Sequence, residues 1–173
     1  MVALTTNVLL LLLPAAISVN YAYDEGLARK LVLMSDVAYC GDDQHGGTGG
    51  IKKWDCPPCR ALGDLAVSDV AVFQNIHEQT FGFTAMLNAT LPHAIPSILV
   101  SLRGSVLRQN YLDDLDQVLK PLPNTTQGQV HRGSYRAYIT LRDEMLQQVT
   151  SLRKKYPGVS SILVTGHSMG AAL

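Results

Sequence analysis

The sequence has no surplus of charge of either sign: 14 Lys and Arg balance 14 Asp and Glu in 173 residues. Without a basic excess there is nothing to hold a phosphate backbone, so nucleic acid is not an expected partner. A membrane-length apolar run is also lacking. The aliphatic stretch Val8 to Leu13 continues past Pro14 to Ile17 and stops short of the roughly 18 residues a spanning helix needs, so no integral membrane segment is expected. Cysteine is scarce and odd in number, with three in all, so the thiols cannot all pair within the chain. Internal repeats and low-complexity tracts are absent too. What is present is 47% hydrophobic and 16% charged residues, a balance that supports a buried core and argues against a disordered chain.

The short apolar run reads as a secretory signal over residues 1–22, followed by one globular unit over 23–173. Small residues allow cleavage after Ser18 or Ala22, although Met1 to Asn7 carry no Lys or Arg. An oxidising compartment agrees with the rest. Cys40, Cys56 and Cys59 are disulfide candidates, and Asn88 and Asn124 open the sequons Asn88-Ala89-Thr90 and Asn124-Thr125-Thr126. The expected location is therefore secreted or within the secretory or lysosomal pathway. One cysteine stays free or finds its partner outside this sequence. Cys56-Pro57-Pro58-Cys59 raises a rival reading as a thiol-disulfide oxidoreductase. It follows Gly46 to Gly50 and Trp54 where a redox motif would follow a strand, so a structural staple is the better reading. Zinc would need His45 as a fourth ligand, which is a poor set; neither a metal nor an organic cofactor is expected.

Asp24 is a candidate N-cap for a helix whose apolar stripe is Leu27, Leu31, Met34 and Ala38. Gly41 to Arg60 reads as an irregular, stapled loop. Val67 to Ile76 and Phe81 to Leu87 read as an antiparallel strand pair. Ser97 to Leu102 predicts a buried strand, and Ser161 to Thr165 a second. Between them Tyr135, Ile139, Met145, Val149 and Leu152 give one face of a long helix, stopped at Pro157-Gly158. Strand, helix, strand at this length is a crossover between parallel strands. The fold class expected is α/β, a mixed sheet with crossover helices.

Gly166-His167-Ser168-Met169-Gly170 sits directly between that last strand and the helix-prone Ala171-Ala172-Leu173. A serine nucleophile must stand on a strained strand-to-helix turn, and small residues two before and two after let the flanking backbones approach. The alternative is an ordinary turn with a capping serine. On the nucleophile reading the Met169 amide faces the anion formed when Ser168 attacks a carbonyl. Ser105, in the loop Arg103-Gly104-Ser105 at the carboxyl end of the preceding strand, is the candidate second donor.

These residues resemble the class 3, or fungal-type, triacylglycerol lipases of the α/β-hydrolase superfamily. The likeness rests on Leu102-Arg103-Gly104-Ser105 with Asn110-Tyr111 and Asp114-Leu115, on Val130-His131-Arg132-Gly133, and on Val164 to Gly170. It implies Ser168 as the acylated nucleophile, Ser105 and Met169 as the oxyanion-hole pair, and Asp114 as the acid that orients Ser105. It implies that Val106 to Asp113 is a lid with Leu107, Tyr111 and Leu112 on its apolar face, that His131 and Gly133 are structural, and that the substrate is a lipid ester met at a lipid–water interface. Leu102, Ser134 and Ala171 depart mildly from the family pattern, and Tyr111 stands where many members have Trp.

The α/β-hydrolase order of Ser, then acid, then His puts the other triad members after Ser168, yet only five residues follow it. His131 and His167 are poor substitutes, one in a different block and one expected to point away from the site. The sequence is therefore read as an amino-terminal portion of a lipase-like domain, nearly inactive alone, with the sheet incomplete at its carboxyl end. Phospholipase A1, a carboxylesterase, or a non-catalytic secreted module of lipase shape are the alternatives.

Overall fold

The computed structural model describes residues 23–40, 50–63, 65–88, 95–106, 118–123 and 128–173. The expected signal (1–22), His45, the lid residues Leu107, Tyr111 and Leu112, and Asp114 and Asn124 lie outside the described residues.

Helix α1 (Glu25–Val37) starts where the cap predicts: the Asp24 carboxylate accepts from the Leu27 amide at 3.0 Å. A 3-10 turn, Ala38–Cys40, continues it. After a second 3-10 turn, Ile51–Lys53, comes a short helix α2 (Pro57–Ala61). The segment expected to be irregular is thus partly helical, because the two prolines preset φ for a first helical turn. Strands β1 (Val67–Asn75) and β2 (Thr80–Leu87) pair antiparallel as expected, and β2 pairs antiparallel with β3 (Ser97–Leu102). Two three-residue strands, β4 (Leu119–Pro121) and β5 (Gln129–His131), form a separate antiparallel ribbon that the sequence does not announce. Helix α3 (Arg132–Lys155) then crosses over to β6 (Ser161–Gly166), which lies parallel to β3. A one-turn helix α4 (Met169–Ala172) follows. The sheet order is β1-β2-β3-β6.

Strand alternation sorts the core onto two faces. Phe81, Phe83, Ala85 and Leu87 of β2, with Leu99 of β3, pack with Met34, Val37 and Ala38 of the α1 segment and with Cys56 and Cys59. Met86, Ile98, Val100 and Leu102 point the other way, to Leu141, Met145, Val149 and Leu152 of α3. The buried stripe of α3 is therefore Ala137, Leu141 and Leu152 with Met145 and Val149 half-buried, while Tyr135 and Ile139, expected on it, stand at its margin. Tyr135 instead lies under the Lys120 ammonium, 4.0 Å from the ring centre.

Several polar groups inside the layers pair with one another. Thr84 donates to Gln148 Oε1 at 2.9 Å, and Gln148 Nε2 donates to the Val72 carbonyl at 2.9 Å, joining β1, β2 and α3. On the opposite face the Ser101 and Thr165 hydroxyls each donate, at 3.0 Å, to the carbonyls of Met34 and Leu31. Those two bonds set where α1 sits across β3 and β6. Cys56 and Cys59 form a disulfide buried in the core, and Cys40 is a free thiol. Burial, and secondarily the Asp36 charge, push the Cys40 thiol up to about 11.

Candidate active site

Thr165-Gly166 ends β6, and the chain turns at His167-Ser168 into α4. Ser168 has φ 55° and ψ −124°, a conformation that a residue with a Cβ rarely adopts, and its side chain is exposed. The turn is as tight as the glycine spacing predicts. A Cβ on Gly166 would lie 2.3 Å from the Gly170 carbonyl oxygen, and one on Gly170 would lie 2.2 Å from the Leu102 carbonyl oxygen. Gly170 thus lets α4 press directly on the end of β3, while Gly166 lets the turn close on itself.

The loop after β3 reaches this turn. A Cβ on Gly104 would be 3.0 Å from Ser168 Cβ and 2.6 Å from the His167 carbonyl oxygen. Ser105 donates its hydroxyl to the Met169 thioether at 3.5 Å, so the two residues proposed as anion donors touch across the site. The loop is anchored on its far side by Arg103. This buried guanidinium stacks on Phe81 at 5.1 Å and donates to the Gln79 carbonyl at 3.2 Å, while the Arg103 amide donates to the Phe81 carbonyl at 2.9 Å.

Both histidines of the motifs have hydrogen-bond partners away from the Ser168 side chain. His131 is the N-cap of α3, its Nδ1 accepting from the Ser134 amide at 3.2 Å. This is a structural role for the Val130-His131-Arg132-Gly133 block. His167 lies with Nδ1 2.7 Å from the Tyr39 hydroxyl, its ring edge-to-face with the phenol. Tyr39 was not singled out by sequence, and no local spacing would have found it, because its partners lie 65 and 128 residues away.

Of the remaining candidates, Asn88 is exposed at the end of β2, as a glycan acceptor requires. Among the described residues there is no group of three or more His, Cys, Asp or Glu able to hold a metal, and no helix long and apolar enough to cross a membrane. The Cys56–Cys59 disulfide begins a helix but follows a 3-10 turn, and both sulfurs are buried, which leaves no approach for an exchanging thiolate.

Residues 99–173 match the family model for Lipase (class 3). The lipase of Rhizomucor miehei is 28% identical over 139 residues, 80% of this chain and 35% of that protein. Phospholipase A1-II 3 of Oryza sativa subsp. indica is 34% identical over 95 residues, 44% of this chain and 23% of that protein. A solved triacylglycerol lipase, described as having a serine protease triad as its catalytic centre, superposes with a TM-score of 0.60 at 25% identity, over 87% of this chain and 53% of that one. The chain thus spans about a third or less of the curated relatives' length.

Proposed function

From a chain related to the class 3, fungal-type lipases and built as part of an α/β-hydrolase sheet, we propose a secreted serine ester hydrolase acting on lipids, with triacylglycerol as its leading substrate. Ser168 attacks the ester carbonyl, the alcohol leaves, and water releases the acyl group from the serine. The Ser105 and Met169 amides face the tetrahedral oxyanion, and Asp114 orients Ser105. The segment 106–113 covers the site and opens on a lipid surface. His131 and His167 have other engagements, so the base and its acid partner are assigned to residues of the complete protein outside this chain, following the order Ser, acid, His. Residues 1–22 direct secretion, and Asn88 and Asn124 are the glycan acceptors.

The observation that carries this reading is an exposed serine at φ 55° with the post-β3 loop against its Cβ. A capping serine has no need of positive φ, whereas a nucleophile held clear of the sheet does. The test is made in the full-length protein. Ser168→Ala should cut hydrolysis of an emulsified triacylglycerol by at least about 10³-fold, and an organophosphate should label Ser168 in the parent enzyme. Absence of label on a folded protein would favour a non-catalytic module. The likeness to a rice phospholipase A1 supports a second reading, that a phospholipid is the preferred substrate. Parallel assays on phosphatidylcholine, triacylglycerol and a soluble short-chain ester decide among phospholipase, lipase and carboxylesterase.

A further inference from the structure

Three segments far apart in sequence meet at one phenol oxygen. The Gly104 amide donates to the Tyr39 hydroxyl at 3.1 Å, and the same hydroxyl lies 2.7 Å from His167 Nδ1. Gly104 is next to Ser105, and His167 is next to Ser168. We infer that Tyr39 is a positioning residue of the hydrolase site, whose hydroxyl fixes the distance between the post-β3 loop and the elbow so that the Ser105 and Met169 amides converge on a single anion. The inference rests on the acyl-serine reading above and adds to it a residue outside the sequence blocks that carry the family likeness.

The chemistry of the hydroxyl suits the task. It offers one hydrogen and two lone pairs. With Gly104 donating to the oxygen, giving the phenol hydrogen to His167 Nδ1 satisfies all three groups and sets the His167 proton on Nε2. Two anion donors are effective only when both lie about 2.7–3.1 Å from the developing charge, and a displacement near 1 Å is enough to lose much of the rate. Tyr39 is itself well held. It follows α1, which Ser101 and Thr165 tie to β3 and β6, the two strands that carry the loop and the elbow. Its hydroxyl lies where a Cβ on Gly104 would approach within 2.5 Å, so Gly104 leaves room for this contact and no more.

The test uses the full-length protein and a soluble short-chain ester, with Ser168→Ala as the reference. Tyr39→Phe keeps the ring and removes the bridge. Its kcat should fall about 10- to 100-fold with KM within about twofold, and its organophosphate labelling rate should fall in parallel. His167→Leu should lose a similar factor, whereas His167→Asn, which returns an acceptor near the Nδ1 position, should recover most of it. The double variant Tyr39→Phe/His167→Leu should lose no more than the worse single one, because both remove one bond. Tyr39→Phe with kcat within threefold of the parent, or single losses that multiply in the double variant, would overturn the inference while Ser168→Ala remains inactive. If Tyr39→Phe does not fold, the His167→Asn and His167→Leu pair decides: equal losses in the two count against it. Turnover that survives Ser168→Ala sinks the serine mechanism itself, and the inference with it.

Discussion

At the scale of single residues, the site depends on what three glycines leave out. Gly170→Ala would drive a methyl group to 2.2 Å from the Leu102 carbonyl oxygen, a backbone atom that cannot rotate away. The elbow or the end of β3 must then shift. We expect about 1–3 kcal/mol of lost stability by chemical denaturation and, in the full-length protein, loss of most ester hydrolysis. Gly158→Ala is the control. Nothing lies within 4 Å of its would-be Cβ, so its effect should stay within about 0.5 kcal/mol. The need for small residues at 166 and 170 was legible in the sequence because it follows from local geometry. The role of Tyr39 was not, since a hydroxyl that bonds residues 65 and 128 positions away leaves no trace in local spacing.

At the scale of elements, β1 is joined to the far end of α3 through a break in its own ladder. Register shifts between Ser68 and Ala71, and Asp69 takes φ 51° there, which turns its carboxylate toward Lys155 and Tyr156 just past the helix. Hydrogen bonds from Lys155 first and Tyr156 second hold the Asp69 carboxyl below its ordinary value, and the same bond raises Lys155. The folded protein therefore favours the carboxylate more than the unfolded chain does. The stabilisation is fully present above an unfolded value of about 3.9 and is lost as pH falls through the lower folded value. Asp69→Asn should destabilise at neutral pH, and the gap between parent and variant should close below pH about 4 in thermal unfolding. Asn tolerates the left-handed backbone, so the carboxylate is what the comparison reads. Elements with clean alternation or a full helical period, such as β2, β3 and α3, were readable in advance. The β4–β5 ribbon was not, because three residues per strand with mostly exposed side chains carry no period.

At the scale of the whole molecule, the described sheet has one face only partly covered at β6. Leu163 packs toward α1 and Thr165 bonds to it, but Ile162 and Val164 on the other face are 44% and 64% exposed. Apolar strand residues at a sheet edge invite pairing with another chain. Residues 23–173 produced alone should therefore self-associate, and Val164→Lys should raise the monomer fraction in size-exclusion chromatography. The parallel β3–β6 pairing was foreseen from the crossover, whereas the bonds that seat α1 on these two strands link residues 67 and 134 positions apart and were not. That span has a consequence during synthesis. A ribosome adding roughly 5–20 residues per second needs about 6 to 26 seconds to travel from Tyr39 to His167, 128 positions later. Through that interval α1 can already settle against β2 and β3, but the Tyr39 hydroxyl waits for its His167 partner, and the loop and the elbow are not yet held together.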